Sequence, residues 1–151
     1  MKILITGGCG YKGSVLIPNL LKEGHEIINL DTQWFGNKLT SHPNLINIQF
    51  DIMNIKDIDL KGVEVIIHLA NIANDPAVDL NPTLSWEVNV LASHLIADHA
   101  LRSGVRQIIY ASSGSVYGIK EEEKVTEDLP LVPISVYNKT KMISERILVL
   151  L

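Results

Sequence analysis

Cysteine is almost missing from this sequence: Cys9 is the single one in 151 residues. No intramolecular disulfide can form. With a strand-like run at the start and no signal peptide ahead of it, a reducing, cytoplasmic setting is the expectation. A basic excess is also missing, since 13 Lys and Arg stand against 17 Asp and Glu for a net charge of -4. Nucleic acid is therefore not an expected partner. No apolar run approaches the roughly 20 residues that span a bilayer, so no membrane is expected either. His25, His42, His68, His94 and His99 show no pairing of the kind that zinc sites use, so no metal is expected and these histidines read as core or surface residues. There is no internal repeat, linker or low-complexity tract, and the short acidic run at 121–123 reads as a solvated loop. What is present, 46% apolar and 20% charged residues, suits one globular domain with a sizeable core.

The order of apolar runs sets the fold class. Lys2 to Thr6, Glu26 to Leu30, Asn44 to Phe50, Val63 to Leu69 and Gln107 to Ala111 read as five strands. Tyr11 to Glu23 has apolar residues at Val15, Leu16, Leu20 and Leu21, which is helical spacing, and Gly24 ends it. Asn81-Pro82 is a helix-start signal for one helix running to about Ser103. A last helix begins near Ser135. Strands alternating with helices predict an α/β fold, a doubly wound parallel sheet of the Rossmann type. The apolar run 146–151 has no cap or polar tail, and it predicts that the chain is a truncated part of something longer.

Between the first strand and the first helix lies Gly7-Gly8-Cys9-Gly10-Tyr11-Lys12-Gly13. Gly7, Gly10 and Gly13 suit three needs: a tight turn, close approach of backbone to a diphosphate, and close packing of helix on strand. The helix N-terminus adds free N–H groups and partial positive charge for phosphates. A purely structural glycine turn is the competing reading, and the strand-turn-helix context favours the binding one. Asp31 ends the second strand 18 residues after Gly13, near the spacing of the acid that accepts ribose hydroxyls. A carboxylate there repels a 2′-phosphate, and no arginine follows it, so NAD is favoured over NADP. Asp51, ending the third strand, suits either an adenine contact or a simple turn. Cys9 reads chiefly as a small residue fitting the turn, although a thiol beside a helix N-terminus can have a depressed pKa. Lys12 suits a phosphate contact or a solvated position. Trp34-Phe35 suits packing on the sheet better than flanking the adenine.

Two further clusters carry chemistry. Tyr137 and Lys141 open the last helix four residues apart, so they share a face while Lys139 turns away. A phenol is a poor base at neutral pH. A neighbouring ammonium and an oxidised nicotinamide both favour the phenolate, which would make Tyr137 a general acid/base. Ser112-Ser113-Gly114-Ser115-Val116-Tyr117-Gly118 follows the fifth strand, at the end where doubly wound sheets bind ligands.

Taken together, TGGCGYKG at 6–13, Asp31, Asp51-Ile52, HLAN at 68–71, Asn89-Val90, SSGSVYG at 112–118 and YNKTK at 137–141 resemble the N-terminal part of an extended short-chain dehydrogenase/reductase, in the NAD-dependent epimerase/dehydratase family that acts on nucleotide sugars. The resemblance implies roles. Ser113 would be the catalytic serine, Tyr137 the acid/base, and Lys141 its partner, also bonding the nicotinamide ribose. Tyr11 and Lys12 would lie along the diphosphate, and Asp51 and Ile52 by the adenine. Leu69, Ala70 and Asn71 would line the cofactor behind the fourth strand, with Asn89 as a cofactor-side asparagine. The family's length, roughly twice that of this chain, would add a substrate-binding lobe. A homodimer through the helices at about 82–103 and 135–151 is also implied, the last helix being apolar at Ile143, Ile147 and Leu150.

Departures from the family pattern refine the expectation. Dehydratases carry an Asp-Glu pair where this chain has Gly114 and Ser115, which disfavours water elimination. Lys12 replaces a more usual aliphatic residue, and Asn71 a more usual small one. The expected function is an NAD-dependent nucleotide-sugar epimerase or oxidoreductase. The alternative from another class is a non-catalytic NAD-binding or sensor module, or an inactive fragment, on the same fold.

Overall fold

The computed structural model describes residues 1–149. Five strands, β1 (Lys2–Thr6), β2 (Glu26–Asp31), β3 (Leu45–Gln49), β4 (Val65–His68) and β5 (Gln107–Tyr110), form one parallel sheet in the order β3-β2-β1-β4-β5. The chain leaves β1 for β2 on one side and reaches β4 on the other. Thr6 is in register with both Leu30 and His68. The C-terminal ends of the three central strands therefore meet at the topological switch point, where doubly wound sheets bind their ligands.

Alternation along the strands feeds two cores. Ile3, Ile5, Ile27, Val65 and Ile67 face helix α1 (Gly13–Lys22) at Ile17 and Leu21. Leu4, Ile28, Leu30 and Ile66 face the 3-10 segment Ile52–Asp57 and Ala92, Ile96 and Ala100 of a helix on the other side. The buried stripe of α1 is Gly13, Ile17 and Leu21, spaced by four. Val15, expected in that stripe, is 63% exposed.

The helix expected over 82–103 is interrupted. It consists of α3 (Pro82–Trp86), a π-helical turn Glu87–Leu91, and α4 (Ala92–Arg102). Such wide turns recur at functional sites. A short helix α2 (Asp75–Leu80), absent from the sequence expectation, precedes it. Asn74 caps α2 by accepting from the Ala77 N–H at 3.1 Å, and Asn81 caps α3 by accepting from Leu84 N–H at 3.1 Å. Each cap has a proline in the following turn. The last helix is α5 (Val136–Val149). Its buried residues are Asn138, Thr140, Lys141 and Ser144, while Ile143 and Ile147 are half-buried. Leu150 of the expected stripe lies outside the described residues. Among the described residues no helix is long and apolar enough to cross a membrane.

Candidate cofactor and acid/base site

The glycine turn is shaped by contacts that no side chain could share. Gly7 has φ +73°, and a Cβ there would lie 2.5 Å from the Ala70 amide nitrogen. The end of β1 thus touches the chain leaving β4. At Gly13 a Cβ would fall 2.3 Å from the Gly8 Cα, so the first turn of α1 seats directly on the loop. Gly10 folds back, its N–H donating to Gly7 O at 3.2 Å. Among the described residues the amides of Tyr11 and Lys12 have no backbone acceptor, which leaves donors at the helix start.

Asn29 fixes this loop from below. It is fully buried in β2; its Oδ1 accepts from the Gly8 N–H at 2.9 Å and its Nδ2 donates to Asn47 Oδ1 at 2.6 Å. A polar residue in the middle of an otherwise apolar strand, EIINLD, was its only signal in the sequence. Asp31 holds the loop from the side: Oδ2 accepts from Cys9 N–H at 2.9 Å, and Oδ1 from Gln33 N–H at 2.6 Å. Each oxygen keeps a further lone pair for a hydroxyl donor. The possibility of a depressed Cys9 pKa is corrected. Burial and the Asp31 charge push the thiol up, against weaker opposing hydrogen bonds from Asn29 and Asn47.

Above the strand ends lies a cavity of about 680 Å³, within the usual range for cofactor sites. Its wall brings together Gly7, Gly10, Tyr11 and Lys12 of the turn, Asp31, Asp51 and Ile52, then Leu69, Ala70 and Asn71, and finally Tyr137 and Lys141. Asp51 does two things: it lines this wall, and it caps the 3-10 segment by accepting from Met53 N–H at 3.0 Å. Trp34 and Phe35, expected to pack on the sheet, are 62% and 91% exposed and line the same cavity. Three of the expected residues are not on the wall. Gly13 is behind the turn, Ser113 caps the 3-10 segment Gly114–Tyr117 that follows β5, and Asn89 is one layer deeper.

Asn89 is a clamp. Its Oδ1 accepts from Ile72 N–H at 2.8 Å, and its Nδ2 donates to Ile72 O and to Thr140 Oγ1, each at 3.1 Å. Thr140 Oγ1 in turn donates to Tyr137 O at 2.7 Å. The π turn carries this asparagine, and its freed carbonyl accepts from both Ser93 Oγ and Ser144 Oγ at 2.6 Å. His68 belongs to the same buried network. Its Nδ1 lies 2.7 Å from Thr6 Oγ1 and its Nε2 3.0 Å from Ser93 Oγ. Burial, with a smaller contribution from the Lys141 charge, pushes His68 down to about 3.

Tyr137 and Lys141 do share a face, and Lys139 is exposed. Lys141 is 3% exposed; its Nζ donates to Ala111 O at 2.7 Å and lies 4.6 Å from the Tyr110 ring centroid and 5.9 Å from that of Tyr137. Burial, then the Lys12 charge, push its pKa down to about 8, opposed by Glu145. For Tyr137, burial pushes the phenol up, Asn71 and Ser113 pull it down by hydrogen bonding, and Asp75 raises it. Burial thus outweighs the groups favouring phenolate. Ser113 Oγ is 2.6 Å from Ser115 Oγ, which donates to Asn138 Oδ1 at 2.6 Å.

A phosphate-type turn, a ribose-type acid and a tyrosine-lysine pair thus share one cavity, and comparison with known proteins agrees. Residues 3–150 match the profile of the NAD dependent epimerase/dehydratase family. The chain belongs to that family. It is 37% identical over 155 residues to a UDP-glucose 4-epimerase of Mycolicibacterium smegmatis, covering 96% of this chain and 49% of the relative. Among solved structures, the dTDP-glucose 4,6-dehydratase DesIV from Streptomyces venezuelae, with NAD and TYD bound, superposes with a TM-score of 0.89 at 27% identity, covering 97% of this chain and 50% of that one. The UDP-Glc/GlcNAc 4-epimerase from Campylobacter jejuni gives a TM-score of 0.89 at 29% identity, covering 97% and 47%. The chain spans about half the length of the curated relatives it matches. Its fold is the Rossmann fold of this family, and NAD is the cofactor. The cavity fits that cofactor on its own evidence: a backbone cradle that a Cβ at Gly7 would fill, free amides at the start of α1, and a carboxylate with spare acceptor capacity.

Proposed function

We propose that this chain is the NAD-binding part of a nucleotide-sugar epimerase or oxidoreductase in which Tyr137 is the acid/base. The observation that carries this reading is one cavity whose wall joins the glycine turn to Tyr137 and Lys141. NAD, when bound, supplies the hydride acceptor and, in its oxidised positive form, the charge that favours phenolate. Tyr137 takes the proton of a sugar hydroxyl as hydride leaves the same carbon, and Ser113 donates a hydrogen bond to the oxygen that becomes a carbonyl. In the return direction Tyr137 would give the proton back to the same oxygen. Lys141, buried and charged, holds the ribose and supports the phenolate. Asp31 accepts the adenosine ribose hydroxyls, and Tyr11 and Lys12 flank the diphosphate.

Epimerisation is favoured over dehydration because Gly114 and Ser115 offer no carboxylate to protonate a leaving hydroxyl. The UDP-glucose 4-epimerase names among the relatives support the same choice, and the DesIV dehydratase among the neighbours marks the competing one. A nucleotide sugar is the substrate class, and a reducing, cytoplasmic setting suits the free thiol. The partner we propose is a second copy, docked through the stretch from α3 over the π turn to α4, and through α5. There Trp86 and Leu91 are 37% and 45% exposed, beside Val90, His94 and Ile147 around a shallow hollow of about 420 Å³. In the full-length protein, Tyr137→Phe should abolish turnover of a UDP-hexose and leave NAD bound. Retained turnover would overturn the assignment.

A further inference from the structure

Ser113 and Tyr137 act on one oxygen in the proposed reaction, yet different elements carry them. Ser113 caps the 3-10 segment Gly114–Tyr117, and Tyr137 lies in the first turn of α5. Their relative position depends on what joins that segment to the helix. Three consecutive residues after β5 are tied to α5. The Ala111 carbonyl accepts from Lys141 Nζ at 2.7 Å, and the Ser112 hydroxyl donates to Glu145 Oε1. The third tie, at Ser113, runs through Ser115 and ends nearest Tyr137. Ser113 Oγ lies 2.6 Å from Ser115 Oγ, and Ser115 Oγ donates to Asn138 Oδ1 at 2.6 Å. Asn138 is the residue after Tyr137 and is 6% exposed.

The chemistry of the groups gives this tie a direction. A carboxamide oxygen only accepts, and a serine hydroxyl has a single proton. Ser115 spends its proton on Asn138, so Ser113 is the donor between the two serines. Ser113 Oγ also accepts from the Ser115 N–H at 3.3 Å. A free serine hydroxyl divides among the three staggered wells; bonds given to and taken from the same residue select one of them. Asn138 is itself fixed, buried and with its backbone N–H on Ser135 Oγ at 3.2 Å. Burial does not account for the tie, because Ser115 is exposed and water would satisfy its hydroxyl.

We propose that Ser115 and Asn138 are positioning residues for Ser113: Asn138 fixes the Ser115 hydroxyl, and Ser115 holds the Ser113 hydroxyl in one rotamer, in register with the turn of α5 that carries Tyr137. The inference rests on Ser113 donating to the sugar oxygen in the proposed reaction. When that oxygen arrives, it takes the proton that Ser113 otherwise gives to Ser115. One hydrogen bond replaces another, and Ser113 Oγ stays where it is.

The test reads the Ser113 rotamer in the chain itself, from the three-bond NMR couplings of its Cβ protons. The wild type should show the couplings of a single staggered well. Ser115→Ala, at an exposed position, should move them towards a rotameric average, and Asn138→Ala should do the same. Ser115→Thr keeps the hydroxyl and should keep the wild-type couplings. In full-length enzyme Ser115→Ala should lower kcat for a UDP-hexose by about tenfold, the worth of one hydrogen bond, with KM and NAD affinity unmoved. Adding Asn138→Ala should cost nothing more, because both changes cut the same tie. Unmoved Ser113 couplings in Ser115→Ala, or losses in kcat that simply add, overturn the proposal. Should Asn138→Ala not fold, the couplings of Ser115→Ala and Ser115→Thr decide it. Couplings that respond as expected in a protein whose full-length form oxidises no sugar would sink the proposed function and leave the fixing of Ser113 standing.

Discussion

His68 should make the fold acid-labile well above the range where carboxylates protonate. In the folded chain its imidazole is sealed between Thr6 and Ser93, with burial and then the Lys141 charge pushing it down to about 3. In the unfolded chain it titrates near the ordinary value of about 6.5. Below pH 6.5 the unfolded state therefore binds a proton that the folded state refuses, and stability falls with falling pH until about pH 3. The loss is ~1.4 kcal/mol per pH unit, or ~2 kcal/mol between pH 6.5 and 5, a window in which most carboxylates are still ionised. Urea unfolding at several pH values measures it. His68→Gln keeps a donor and an acceptor but cannot charge. Whatever that change costs at pH 7.5, its stability should be flatter than the wild type by ~2 kcal/mol across the window. Parallel stability-pH lines for the two proteins would refute the reasoning, because they would mean that His68 is protonated while folded.

Gly7→Ala should destabilise the chain by roughly 2 kcal/mol or more, since it combines a left-handed backbone with a Cβ directed at the Ala70 amide; a thermal melt reads this, and an unchanged Tm would contradict the close approach of β1 and β4. Leu91→Glu should convert a dimer into a monomer in sedimentation velocity, because it places a charge on the exposed apolar face formed by the π turn, α4 and α5. A wild-type chain that is already monomeric at high concentration would remove that partner from the account.

Local features were the most legible in the sequence. β1 spans Lys2–Thr6 as read, β5 ends one residue earlier than read, and β3 is one residue shorter at each end. Short apolar runs bounded by polar residues have few alternatives in a parallel sheet. The cofactor turn and the Tyr137–Lys141 pair were legible for the same reason, because fixed spacing on one element sets their relation. What sequence reading missed depends on contacts between distant segments. The π turn at Glu87–Leu91 exists where Asn89 must reach both Ile72 and Thr140, 17 and 51 residues away. Nothing in local periodicity encodes that demand. The polar buried side of α5 was hidden similarly: Thr140 and Ser144 are buried because they bond the π turn and their own helix, which apolar periodicity does not report. Helix α2 was within reach, since Asn74 and Pro76 repeat the signal read at Asn81-Pro82.

The central claim, that the glycine turn and Asp31 make this cavity an NAD site, is tested most directly by calorimetric titration of the chain with NAD and with NADP, in wild type and Asp31→Asn. NAD should bind one to one and much more tightly than NADP, and Asp31→Asn should weaken NAD and narrow the gap, because the carboxylate both accepts the ribose hydroxyls and repels a 2′-phosphate. Equal binding of the two cofactors, or an NAD affinity indifferent to Asp31, would contradict it.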